Sequence, residues 1–148
     1  MIGISSCLCG INCKYNGKNN LNPIFLELVN AGVAVPFCPE QLGGLKTPRV
    51  PAEIKKDFKG NLKVVTKNNI NVTNEYFLGA ERALNILKAL EITKVILRRR
   101  SPSCGYGEIY DGTFSGTIIE GNGITVDLLL KNGIEVMTDD DYIKKLEK

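Results

Sequence analysis

Five cysteines and no histidine set the limits of the chemistry open to this 148-residue chain. Without an imidazole there is no Ser-His-Asp or Cys-His pair, no zinc-binding H-E-x-x-H and no imidazole proton shuttle near neutral pH. A metal must be held by Cys, Asp, Glu or backbone oxygen. A proton must be moved by a carboxylate, Lys, Tyr, Cys, a hydroxyl or water. The gaps from Cys7 to Cys38 and from Cys38 to Cys104 are far wider than the paired C-x2-4-C hooks of structural zinc. The close pairs, Cys7 with Cys9 and Cys9 with Cys13, are not repeated elsewhere, which argues against a zinc ribbon.

Other reactive groups cluster at the same points. Glu40 stands two residues after Cys38, and with no histidine present it is the nearest candidate proton carrier; it is equally well placed to cap a helix or turn. Ser101 and Ser103 immediately precede Cys104, where their hydroxyls can bond a ligand or simply build a Ser-Pro-Ser turn. Arg49 offers a cation beside the Cys38 loop, as a substrate contact or a loop-pinning ion pair. Gly43-Gly44 and the glycines from 116 to 123 match no G-x-G-x-x-G or Walker pattern, so no dinucleotide is specified.

The elements that must position these groups follow from hydrophobic period and turn signals. Strands are predicted over 2–5, 33–36, 94–97 and 134–136, and helices over 21–31, 73–90, 124–132 and 139–146. Residues 7–17, 41–52 and 105–123 read as loops, and 62–66 with 69–73 as a peripheral hairpin around Asn68-Asn69. Strand and helix alternate, and the strands are apolar throughout. That pattern predicts one α/β domain over 1–148, a mostly parallel sheet flanked by helices in the Rossmann-like manner. Ligands of such sheets collect at the carboxyl ends of the strands. Cys7, Cys38 and Cys104 each lie just past a predicted strand, on that edge.

Three thiols delivered to one edge have three uses: a shared metal or cluster site, a redox pair, or packing as small apolar side chains. Zinc and iron–sulfur clusters are the usual targets of thiolates, and a cluster held by only three cysteines leaves one iron open as a Lewis acid. Packing suits Cys9 and Cys13 best.

Nineteen Lys and Arg against sixteen Asp and Glu leave +3, with the two signs interleaved, so no nucleic-acid partner is expected. The densest basic run, Arg98-Arg99-Arg100, suits an anionic substrate, a phosphate, or solvent with one or two structural pairs. No apolar run reaches the roughly 18 residues that span a bilayer, and the N-terminus lacks a signal-peptide pattern. The expected location is the cytoplasm, where thiols stay reduced and metal binding or catalysis outweighs a disulfide framework.

Longer motifs carry a resemblance. Ser6-Cys7-Leu8 with Cys13-Lys14-Tyr15-Asn16-Gly17, Cys38-Pro39-Glu40, Gly43-Gly44-Leu45, Thr47-Pro48-Arg49, Pro51-Ala52-Glu53, Ser101-Pro102-Ser103-Cys104-Gly105 and the run from Tyr110 to Gly116 resemble, in order, the motifs of the domain-of-unknown-function 523 (DUF523) proteins. Members of that family include thiouracil desulfidases. The resemblance implies a [4Fe–4S] cluster on Cys7, Cys38 and Cys104, with one open iron that is exposed to oxidation and lost in aerobic preparations. It implies removal of sulfur from a thiolated pyrimidine such as 2-thiouracil, by non-redox C–S cleavage in which water supplies the replacing oxygen. Glu40, Ser101 and Ser103 would assist catalysis, and Arg49 and Gly105 would touch a small thiolated base. A different class of function, carrying sulfide, a cluster or a metal on the same three cysteines without turnover, is separated from the enzyme by whether Glu40 is needed. This chain departs from the family pattern at Cys9, at Lys14 and Asn16 in place of Arg and Asp, and at Lys46 where Pro is common.

Overall fold

The computed structural model describes residues 1–148. Four parallel strands form the central sheet: β1 (Ile2–Ser5), β2 (Ala34–Phe37), β5 (Lys94–Leu97) and β8 (Glu135–Thr138), in the order β2-β1-β5-β8. These are the four strands expected from the apolar runs, with the last extended to Thr138, whose side chain caps the following helix. Pro36 explains one feature of the order. It has no N–H to donate, and β2 lies at the sheet edge, where a proline is tolerated.

Helices cover both faces, so each strand buries both sets of side chains. On one face α1 (Pro23–Asn30) and α5 (Asp139–Leu146) enclose Ile4, Phe25, Ala34 and Ile96. On the other, α3 (Thr73–Ala89) and α4 (Ile124–Lys131) pack Ala83, Leu87, Val126 and Leu129 against Val95, Leu97 and Val136. α3 lies so close that a Cβ at Gly3 would stand 2.8 Å from Leu87 Cδ2. No helix is long and apolar enough to cross a membrane.

Three segments differ from the sequence-based expectation. The partner of β4 (Leu62–Thr66) is β3 (Ala52–Lys56), which begins at the last residue of the stretch expected to be irregular and runs on through residues assigned to no element, and not 69–73. The Asp57 carboxylate accepts the Lys59 and Asn61 N–H groups and closes the β3–β4 turn, and Ile54 and Val64 bury against α3. The Asn68-Asn69 turn achieves only a single bridge between Val65 and Asn71. The glycine-rich stretch holds a two-stranded ribbon, β6 (Glu108–Tyr110) with β7 (Ile118–Glu120). Residues after Cys38 form one helical turn, α2 (Pro39–Leu42), which carries Glu40.

α2 sits on α3 through two glycines. A Cβ at Gly79 would lie 1.9 Å from the Pro39 carbonyl oxygen, and one at Gly43 would lie 2.0 Å from that of Glu75. Both obstacles are backbone and cannot swing aside. Gly79→Ala is therefore expected to destabilise the fold despite the ~1 kcal/mol of helix propensity it gains. The overpacking costs about 1–3 kcal/mol, read as a lower urea midpoint, and it moves α2 and Glu40 off their seat.

Candidate active site

The chain leaves β1 for β2 on one side and returns to β5 on the other, so the strand order reverses at β1. Crevices form at such switch points, outside the carboxyl ends of the strands. Here a cavity of about 540 Å³ opens there, and Cys7, Cys13, Cys38, Cys104, Glu40, Arg49, Ser101 and Ser103 all line it. Cys7 stands in the 3-10 turn Ser6–Cys9 that ends β1, a turn stopped by Gly10 at φ 88°. Cys38 follows β2 at the N-cap position of α2. Cys104 follows β5 in a loop seated on the start of α4, whose Ile124 and Thr125 N–H groups donate to the Pro102 and Ser103 carbonyls. The three strands are neighbours in the sheet, so the three thiols share one edge.

Cys13, expected to pack, is buried in the core cluster with Cys7 and Cys9, and it also lines the cavity, which its spacing did not indicate. Interaction with Cys38 and Cys7 holds its own proton on and pulls both partners below the usual thiol range, against the opposing effect of burial, and its one hydrogen serves one partner at a time. Its loop has no periodic signal; its place beside Tyr15-Asn16-Gly17 in a motif is the only hint in the sequence. Asn20 Nδ2 donates to Cys7 Sγ at 3.5 Å. Burial pushes the Cys104 thiol up to about 12, opposed by a bond from Ser103 and reinforced by the charges of Cys38 and Glu40. Cys9 packs in the core, its thiol 3.9 Å from the Phe25 carbonyl, and burial raises it to about 11.

Glu40 is held on every side. Its Oε1 accepts from Tyr76 OH at 2.8 Å and from Arg49 Nη2 and Nε at 3.2 and 3.3 Å, and its Oε2 accepts from Ser103 Oγ at 3.0 Å. Tyr76 is buried on α3, and burial together with the Glu40 charge keeps its phenol protonated well above the usual range. Ser103 Oγ also lies 3.5 Å from Cys104 Sγ, but one hydroxyl hydrogen serves only one acceptor at a time. Ser103 thus joins the carboxylate to the thiol. Ser101 Oγ accepts the Ser103 and Cys104 N–H groups at 3.1 and 2.7 Å, which is turn chemistry, while lying 3.0 Å from Ser103 Oγ.

Arg49 is an ion-pairing strut. Besides Glu40 it bonds the carbonyls of Lys46 and Cys13, so it ties three parts of the site together. Gly105 does not line the cavity; a Cβ there would stand 2.7 Å from the Ser101 carbonyl oxygen, so its place is in the turn behind Cys104.

Of the three arginines, Arg98 and Arg99 are spent on Asp139, which is 3 % exposed and accepts from their guanidinium groups at 2.9 and 3.0 Å. Asp139 also accepts the Arg99 N–H at 2.9 Å. Arg100 lines the cavity with no carboxylate partner. Removing one partner of a buried ion pair strands the other charge. Asp139→Asn is expected to cost about 2–3 kcal/mol, below the fully buried range because the arginines are about one-third exposed. A urea titration reads this directly.

No three Cys, Asp or Glu side chains converge tightly enough to grip a single metal ion. The thiols surround a wider space, and their soft sulfur donors suit iron–sulfur chemistry.

The solved structure of the [4Fe-4S]-dependent thiouracil desulfidase TudS is similar at a TM-score of 0.85 and 40% identity, over 94% of this chain and 90% of that one. The protein YbbK of Bacillus subtilis (strain 168) is 44% identical over 146 residues, which are 95% of this chain and 97% of YbbK. Residues 2–141 match the 2-thiouracil desulfurase family, and the chain belongs to that family.

Proposed function

We propose that this chain is a [4Fe–4S]-dependent desulfidase that removes sulfur from a thiolated pyrimidine such as 2-thiouracil. The observation that carries this reading is the convergence of Cys7, Cys38 and Cys104 on one cavity with a carboxylate, Glu40, that reaches Cys104 through Ser103. The family and the likeness to TudS support the same activity.

The donor set fits the cluster. Three thiols come from three adjacent strand ends, and Cys13 lines the same cavity beside them as a protonated thiol. Cys7, Cys38 and Cys104 would hold the cluster, and when bound it supplies an open thiophilic iron that draws on the sulfur of a C=S group.

The residues of the chain do the rest. Glu40 takes a proton from the water that attacks the thiocarbonyl carbon, and Ser103 orients that water and relays the proton. The C–S bond breaks, a C–O bond forms, and sulfur leaves as hydrogen sulfide. The carbon keeps its oxidation state, so no reductant is consumed. Arg49 and Tyr76 keep the carboxylate aimed. When the reaction is run in isotopically labelled water, the uracil formed carries one labelled oxygen and no reductant is used. Unlabelled product, or a requirement for reductant, would contradict hydrolysis.

A further inference from the structure

The run from Tyr110 to Gly116 is not used by the chemistry above, yet it places an aromatic ring at the cavity. Phe114 lines the cavity wall and is half-buried, but it joins none of the three hydrophobic clusters of the core. Its backbone lies in the left-handed region at φ 57°, where a bulky side chain is rare and glycine would sit without strain. The conformation is clamped from another element. Glu53 Oε1, on β3, accepts the Phe114 N–H at 3.2 Å and the Gly112 N–H at 2.9 Å. Gly112 presses on β3 so closely that a Cβ would lie 2.8 Å from the Ile54 carbonyl oxygen.

A strained, clamped ring that packs against no core is held for what it faces. We propose that Phe114 is a specificity-determining residue of this site, its ring stacking on the flat face of the heteroaromatic base while the sulfur points at the cysteines. The inference rests on the desulfidase reading for its substrate class, but not for its geometry. Phenylalanine has no polar end, so it selects for a planar ring whether or not sulfur is present, and the desulfurised product should share the stack.

The test is equilibrium binding of 2-thiouracil and of uracil to the anaerobic, iron-loaded protein, with KM and kcat for sulfide release measured alongside. Phe114→Ala is expected to weaken both ligands about 5- to 150-fold, the range of one lost base–aromatic stack. KM should rise by a similar factor, with kcat and iron content unchanged. Phe114→Tyr should restore binding. Phe114→Gly should bind as weakly as the Ala variant, yet melt within about 4 °C of wild type, because relief of the backbone offsets the ring's modest packing. Wild-type affinity in Phe114→Ala would overturn the proposal. So would a large fall in melting temperature for Phe114→Gly, which would make the ring a packing element. A wild-type protein that binds both bases without releasing sulfide would sink the desulfidase reading and leave the stack intact; normal turnover with unaltered KM in Phe114→Ala would do the reverse.

Discussion

Cys38→Ala, prepared without oxygen, is expected to lose both its iron and its activity. Cys38 sits between an edge strand whose pairing ends at Phe37 and a single helical turn, which fixes its thiol at the cavity. The wild-type protein should carry about four irons per chain, the content of one [4Fe–4S] cluster. In Cys7→Ala, Cys38→Ala and Cys104→Ala that number should fall below about one, with loss of the brown absorbance and a drop in sulfide release of at least about a hundredfold. Cys9→Ser is the control and should keep its iron, because that thiol packs in the core and meets only the Phe25 carbonyl. Cys13→Ser should keep most of it, since a hydroxyl can still donate to Cys7 or Cys38. If Cys104→Ala stays loaded while Cys13→Ala goes colourless, the third ligand is Cys13 and the assignment of Cys104 is wrong.

Glu40→Gln tests the proton-transfer role with the least disturbance. The amide is isosteric, its oxygen still accepts from Tyr76 and Arg49, and its nitrogen still reaches Ser103 Oγ, so the cavity should keep its shape. What disappears is the basic oxygen. General base catalysis typically contributes about 10²–10⁴-fold, and kcat should fall by that factor while iron content and absorbance stay at wild-type values. That pairing of results separates an enzyme from a carrier. A carrier of sulfide or cluster needs the thiolates and has no use for Glu40, so full activity in a loaded Glu40→Gln protein would remove the carboxylate from the mechanism.

The sheet and its functional edge were legible because the four strands are short, mostly apolar runs that alternate with helical periods. A parallel arrangement then forces residues 7, 38 and 104 to the same side. The parts that were not legible share a physical cause. β3, β6 and β7 pair only in two-stranded ribbons and depend on contacts far away in the chain, such as Ile54 and Ile109 burying beside Tyr76 on α3. Local signals in the glycine-rich surroundings of β6 and β7 pointed to a loop, and those past Ala52 in β3 pointed to no element. Cys13 packs in the core as expected, and nothing local says that its loop also brings it to the cavity with Cys7 and Cys38. For Arg49 and Glu40 the sequence left two readings each, and the structure joins them: Arg49 is the ion pair that pins the loop, and Glu40 is its partner while also facing the cavity. The arginine run divides in the same way, with two guanidinium groups paired to Asp139 and Asp140 and Arg100 left at the cavity.

The central claim is that iron on these cysteines turns a thiolated pyrimidine into its oxygen analogue. The most direct measurement is sulfide released from 2-thiouracil per chain, followed anaerobically in samples loaded with graded amounts of iron and sulfide. Release should be catalytic, matched mole for mole by uracil, and proportional to the fraction of chains that hold a complete cluster. Release that is absent from fully loaded protein, or that stops after one equivalent per chain, would contradict the account.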